Sequence, residues 1–128
     1  MNVTAAIFRD GDSVLLMRRA QNQPCAGAWE YPGGKFEPGE DGPSCLAREL
    51  NEELGINAEI GDLVTVVHFV TDTGREINLY AYEITGFSGE IELRVHDQMH
   101  WVRVDELLAH PQLPADHIIS QKLVELKK

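Results

Sequence analysis

The sequence predicts an α/β domain in which a mixed β-sheet is sandwiched between α-helices. Three observations carry that reading. Short β-rich runs recur without the strand–helix alternation of a parallel βαβ fold. One amphipathic helix with stop and start signals at both ends lies mid-chain, and a second with an apolar stripe closes the sequence. The 128 residues suit one domain spanning 1–128, because no linker, repeat or low-complexity stretch divides them.

The elements follow in order. Asn2–Phe8 and Ser13–Met17 read as strands flanking Arg9-Asp10-Gly11-Asp12, whose Asp-Gly step signals a hairpin. Arg18 to Asp41 is rich in Gly and Pro and reads as a long functional loop. A helix follows, with Asp41 as N-cap, Pro43 in its first turn and Gly55 ending it. Leu63–Val70 and Glu76–Ile84 form a second hairpin around Asp72-Thr73-Gly74, and Ile91–Val95 and Met99–Val104 are two further short strands. Asp105 is expected to cap a short helix through Ala109, with Pro111 and Pro114 bracketing a loop. The last helix starts near Asp116 and presents Ile118, Ile119, Leu123 and Leu126 as its apolar stripe.

Charge narrows the function. Asp and Glu number 21 against 11 Lys and Arg, a formal net charge of −10. That balance argues against a nucleic-acid polymer or an anionic membrane surface as partner, since both demand a cationic face. Phosphorylated small molecules stay open if a metal ion supplies the positive charge. The longest apolar runs (Ala5–Phe8, Val14–Met17, Leu79–Tyr82) are too short to span a membrane. The N-terminus carries no basic segment followed by an apolar one. Cys25 and Cys45 show no metal-ligand spacing and read as free thiols. A cytoplasmic protein is expected, as a monomer or dimer.

The central helix carries the chemistry. At about 100° per residue, Leu46, Ala47, Leu50 and Leu54 form one stripe, and Glu49, Glu52 and Glu53 fall together on the adjacent arc. Such a cluster is often only a solvated acidic face. Here Glu49 and Glu53 are like charges at i,i+4, which is unfavourable by roughly 0.2–0.5 kcal/mol unless a cation intervenes. Carboxylates beside a glycine-rich loop are what an oxygen-seeking ion such as Mg²⁺ takes, together with substrate phosphates.

The spacing is also recognisable. Gly34, Glu40, Arg48-Glu49-Leu50, Glu52-Glu53 and Gly55-Ile56 together resemble the Nudix box at every position. Trp29-Glu30-Tyr31-Pro32-Gly33-Gly34-Lys35, the Arg18-Arg19 pair and Leu113-Pro114-Ala115-Asp116 are similar to the MutT-like branch. The resemblance implies a Nudix fold and an enzyme that hydrolyses a nucleoside diphosphate linked to another group, using Mg²⁺ or Mn²⁺. It implies that Glu49, Glu52, Glu53 and the Gly33 carbonyl bind metal and that Arg48 orients the glutamates. Glu49 is the favoured general base, with Glu40 the runner-up. Arg19 and Lys35 would neutralise phosphate charge.

One departure matters. The family commonly supplies another acidic ligand before a Trp like Trp101, and in Val95-His96-Asp97-Gln98-Met99-His100 the only carboxylate is Asp97. Asp97 is therefore expected to complete the shell of a second metal; a His96–His100 pair is the lesser reading.

The marks of ADP-ribose-type and dinucleoside-polyphosphate-type members are absent from Val70–Gly74, which points to a simple nucleoside triphosphate, cleaved to NMP and pyrophosphate. The MutT-like resemblance implies that Tyr31 is the aromatic near the base, though a buried core aromatic is an equal reading. It likewise implies that Asp116 matches the Asn or Asp that meets the base edge, in competition with a helix N-cap role. An ionised Asp only accepts, which suits the donors of guanine or the N4–H₂ of cytosine. An Asn would better match the N7–H and O6 of 8-oxoguanine. Sanitation of 8-oxo-dGTP, and so DNA repair, is the main expectation. A CTP or methylated-dCTP pyrophosphohydrolase is the alternative, and a non-catalytic nucleotide-binding Nudix domain is the alternative of another class.

Overall fold

The apolar runs Ala5–Phe8 and Val14–Met17 are buried on both faces, and that organises the molecule. The computed structural model describes residues 1–127. Strands β1 (Asn2–Ile7), β2 (Arg9–Asp10), β3 (Ser13–Arg19) and β4 (Trp29–Glu30) precede helix α1 (Gly42–Leu54). Strands β5 (Asn57–Val70), β6 (Glu76–Ser88) and β7 (His96–Arg103), a 3₁₀ turn over Val104–Ala109 and helix α2 (Pro114–Lys127) follow.

β1 runs parallel to β6, which is antiparallel to β5, giving the order β1-β6-β5. β3 pairs antiparallel with β2, β4 and β7 in a second sheet. Side chains alternate across each strand. Ala5 and Ile7 join Val14 and Leu16 in a core closed by Ala115, Ile119 and Leu123 of α2. Ala6 and Phe8 join Leu15 and Met17 in a core closed by Leu46, Leu50 and Leu54 of α1. The two sheets thus act as one mixed β layer between helices, as the sequence predicts. No described helix is long and apolar enough to cross a membrane. Cys25 is exposed, Cys45 is buried, and both are free.

Helix α1 is built as its sequence dictates. Asp41 Oδ1 accepts from the Ser44 N–H at 2.8 Å, and Gly55 ends the helix at φ 70°, its N–H donating to the Asn51 carbonyl. Burying Leu46, Leu50 and Leu54 stabilises the docked helix by about 1.5–3 kcal/mol each.

Several sequence expectations need correction. The Asp10-Gly11 turn exists, but it joins β2 to β3; β1 pairs with β6 and not with Ser13–Met17. β5 starts at Asn57 and β6 reaches Ser88, because register shifts between Glu59 and Thr65 absorb the irregular stretch around Gly61. Ile91–Val95 is not a strand. The Glu92 and Arg94 N–H groups donate to the Leu54 and Glu53 carbonyls at 2.8 and 3.3 Å, so the segment satisfies the C-terminus of α1. Asp105 pairs with Arg103 and caps nothing, the turn over Val104–Ala109 having no side-chain cap. Helix α2 begins at Pro114, and Ile118 and Leu126 are exposed; Ala115, Asp116, Ile119, Ser120 and Leu123 form its buried face.

Candidate active site

The Gly-rich loop enters the site by pairing with β1. Ala6 N–H donates to the Pro32 carbonyl at 2.7 Å, Thr4 N–H to Gly34 at 2.8 Å, and Phe36 N–H to Asn2 at 3.0 Å. This wedges the loop between β1 and α1, where only glycine fits. A Cβ on Gly33 would lie 2.0 Å from the Thr4 carbonyl oxygen, and one on Gly34 would lie 2.3 Å from Glu49 Cδ. Gly33 is thereby held against the backbone of β1 and Gly34 against the Glu49 carboxylate.

Arg48 organises those carboxylates. Its Nε and Nη2 donate to the two oxygens of Glu40 at 2.8 and 2.9 Å. Nη1 donates to Glu49 at 2.9 Å and to Glu52 at 3.2 Å, and Nη2 also reaches the Lys35 carbonyl. The Arg48 fork, helped by the Glu37 N–H, holds the Glu40 carboxyl down at about 2. Glu40 is therefore committed to positioning Arg48. Glu49 differs: burial raises its carboxyl above the usual range although Arg48 opposes the shift.

Glu53 is the most perturbed of the three helix carboxylates. Burial, then the charges of Glu49, Glu30 and Glu52, push it up to about 8. Its Oε2 is buried without a hydrogen-bond partner. Facing it on β4 is Glu30, whose Oε1 accepts from Arg19 Nη1 at 3.0 Å and whose Oε2 lies 2.8 Å from His96 Nε2. Arg19 also donates to the Pro24 carbonyl at 2.6 Å.

Among the described residues, no three His, Cys, Asp or Glu side chains converge on one point, since Arg48 draws Glu49 and Glu52 to itself. The donor set nonetheless fits a divalent cation. Glu53 Oε2 is orphaned, Glu49 and Glu53 are acidic neighbours on one helix face, and Gly34 brings backbone close to the Glu49 carboxylate.

A cavity of about 370 Å³ joins these groups to the rest of the predicted site. Arg19, Tyr31, Gly33, Lys35, Glu53 and Asp116 all line it. Tyr31 is a core aromatic, 3% exposed, whose hydroxyl lies 2.6 Å from Ser120 Oγ, and its ring also borders the cavity. Asp116 is not a helix cap. It lies inside the first turn of α2, and its Oδ1 accepts from the Tyr31 N–H at 2.9 Å. Burial, with Glu30 adding to it and the Tyr31 N–H opposing it, pushes Asp116 up to about 7.

Asp97 is not brought to this cluster. It is exposed, and Arg18 grips it with two hydrogen bonds at 2.7 and 3.0 Å, lowering its carboxyl. The cause is a β-bulge. Arg18 faces Gln98, yet Arg19 faces His96, so Asp97 is the extra residue of β7. His100 also points elsewhere, stacked on Trp29 with centroids 4.7 Å apart. The sequence gives Glu30 no role and offers His96 only as a pair with His100, a pair the structure does not form. Glu30 was within reach of the sequence: Trp29 and Tyr31 both enter the α2-side core, so strand alternation turns Glu30 toward α1.

The NUDIX domain family model matches residues 1–124. The chain is 39% identical to the CTP pyrophosphohydrolase of Escherichia coli K12, over 98% of this chain and 91% of that protein. It is 31% identical to an 8-oxo-dGTP diphosphatase of Haemophilus influenzae, over 97% of this chain and 91% of the relative. The crystal structure of a MutT NUDIX hydrolase from Burkholderia pseudomallei superposes with a TM-score of 0.83 at 30% identity, covering 94% of this chain and 95% of that one.

Proposed function

This chain belongs to the NUDIX domain family, and we propose that within it the protein is a cytoplasmic pyrophosphohydrolase of nucleoside triphosphates, releasing NMP and pyrophosphate. One observation carries the reading: a single cavity is lined by the box carboxylate Glu53, by the cations Arg19 and Lys35, and by the base-facing pair Tyr31 and Asp116.

Glu49, Glu52, Glu53 and the Gly33 carbonyl are the groups that would hold Mg²⁺ or Mn²⁺, which when bound supplies positive charge against the phosphates. Glu49 takes the proton of the water attacking the β-phosphorus. Its raised, partly buried carboxyl suits a base better than the Arg48-bound Glu40 does. Arg48 holds Glu49 in place. Lys35, with no hydrogen bond or ion pair from its ammonium among the described residues, is available to the leaving pyrophosphate, while Arg19 lines the same cavity with its charge partly offset by Glu30.

For the base, Oδ1 of Asp116 is taken by the Tyr31 N–H, which leaves Oδ2 to meet an edge carrying donors. Guanine and 8-oxoguanine present N1–H and N2–H₂, so removal of 8-oxo-dGTP from the nucleotide pool is the main reading. A CTP or methylated-dCTP substrate is the second, favoured by the same acceptor meeting N4–H₂ and by the name of the 39%-identical relative. The test is pyrophosphate release from a panel of 8-oxo-dGTP, dGTP, CTP and 5-methyl-dCTP with Mg²⁺. Turnover should require Glu52, and Asp116→Asn should move the preference among the bases. No release from any triphosphate, with binding retained, would make this a nucleotide-binding domain instead.

A further inference from the structure

We propose that His96 is a ligand of the metal centre, positioned by Glu30 and Arg19, and that the resulting nitrogen–oxygen set prefers Mn²⁺ or Co²⁺ to Mg²⁺. The proposal rests on the reading of Glu49, Glu52 and Glu53 as metal ligands and extends it to a residue outside the box.

The backbone supplies the first argument. A regular β3–β7 ladder, continued from Met17–Met99 and Arg18–Gln98, would set Asp97 opposite Arg19. The bulge sets His96 there and turns Asp97 out to Arg18. The residue delivered to the α1 side of the sheet is thus an imidazole where an unbulged strand would deliver a carboxylate.

The hydrogen bonds of that imidazole supply the second. The His96 side chain is only 4% exposed. Its Nε2 lies 2.8 Å from Glu30 Oε2, and a carboxylate can only accept, so in the neutral ring the proton sits on Nε2 and the lone pair on Nδ1. Nδ1 is buried and has no hydrogen-bond partner. Glu30 is itself fixed by Arg19 through its other oxygen. Carboxylate, imidazole N–H and a bare second nitrogen in series are the arrangement by which proteins orient a metal-binding histidine.

The neighbour of that nitrogen supplies the third. His96 and Glu53 line the same small cavity of about 120 Å³, with Arg19, Gln23, Glu30 and Val95 completing its wall. Of these residues Glu53, like His96, carries a buried side-chain atom without a partner, its Oε2. One unpartnered nitrogen and one unpartnered oxygen on residues bordering one polar cavity are accounted for together by a cation that accepts both donor types. Mg²⁺ is bound almost wholly by oxygen, whereas first-row transition ions take imidazole readily.

The test uses the full-length protein with Mn²⁺ alone. Pulsed electron paramagnetic resonance should show a directly bonded nitrogen, its signal changing from ¹⁴N to ¹⁵N when the protein carries ¹⁵N-histidine. His96→Gln should abolish the coupling. Glu30→Gln should weaken Mn²⁺ about 10- to 100-fold, the usual penalty for losing a group that orients a ligand. His96→Glu should bring the Mn²⁺ and Mg²⁺ affinities closer together. The labelled wild type keeps the proposal falsifiable even where a variant folds poorly. Mn²⁺ that binds in dependence on Glu52 but shows no histidine nitrogen overturns the role of His96 and leaves the box reading standing. Mn²⁺ that binds independently of Glu52, or not at all, overturns both.

Discussion

Gly33 and Gly34 are adjacent, yet alanine should act on them in opposite ways. At Gly33 the new Cβ would meet backbone, 2.0 Å from the Thr4 carbonyl oxygen and 2.7 Å from its carbon. Relieving that overlap requires the loop and β1 to separate by about 1 Å, which takes the Ala6–Pro32 and Thr4–Gly34 hydrogen bonds beyond reach. Losing two buried backbone bonds costs about 2–5 kcal/mol. At roughly 3–5 °C per kcal/mol for a domain of this size, the melting midpoint should fall by about 10–20 °C. At Gly34 the Cβ meets only the carboxylate end of Glu49, at 2.3–2.6 Å, and a side chain can rotate away. Gly34→Ala should therefore leave stability within about 1 kcal/mol. With the proposed base displaced by an ångström or more, it should lower turnover about 100-fold. Thermal unfolding followed by circular dichroism, with pyrophosphate release on the best substrate, separates the two effects. A Gly33→Ala protein that melts with the wild type, or a Gly34→Ala enzyme at full rate, would refute the account of the loop as a wedge against Glu49.

Two further outcomes follow from burial. An ordinary Asp carboxyl titrates near 4, but that of Asp116 is raised to about 7 in the native state, so between these values the native protein binds the extra proton. Stability contributed at this site should fall as pH rises from about 4 to 7, by up to about 1.4 kcal/mol per pH unit, and then level off. Asp116→Asn keeps an acceptor for the Tyr31 N–H without the charge. Its urea midpoint should match the wild type near pH 4 and exceed it at pH 8, and a difference independent of pH would contradict this. Leu50 is fully buried against the strands carrying Ala6, Leu15 and Met17, so Leu50→Ala should cost about 2–5 kcal/mol in urea unfolding.

How much of this was legible in the sequence depended on whether the cause was local. Helix α1 could be read from cap to cap, because Asp41, Pro43 and Gly55 act on their own backbone. Its carboxylate arc could be read because the helical period is fixed. Partners were not legible: the apolar run Ala5–Phe8 marks a strand but not that it pairs with β6 across some 75 residues. Ile91–Val95 has strand-like alternation, yet its N–H groups go to α1 carbonyls, a tertiary demand that periodicity does not encode. The sequence offers Asp97 as a metal ligand, because a one-residue bulge leaves no mark in composition. The same bulge brings His96, without His100, opposite Arg19.

Of the formal charge of −10, a net −4 falls on residues 34–56. Residues 34–56 hold Glu37, Glu40, Asp41, Glu49, Glu52 and Glu53 against Lys35 and Arg48. The structure compensates part of that load: Arg48 holds Glu40, Glu49 and Glu52, and Arg94 donates to the Asn51 and Glu52 carbonyls at the end of the helix. It leaves Glu53 half-buried beside Glu49 and Glu30, with only Arg19 acting against them and one buried oxygen lacking any donor. A chain selected for stability alone would place a neutral or apolar residue there. Its retention, with a second unpartnered atom on His96 in the wall of the same cavity, makes stability given up for binding the simplest account of both. On the proposed reading, the part of the acidity that lies on α1 serves the binding of a small phosphorylated partner.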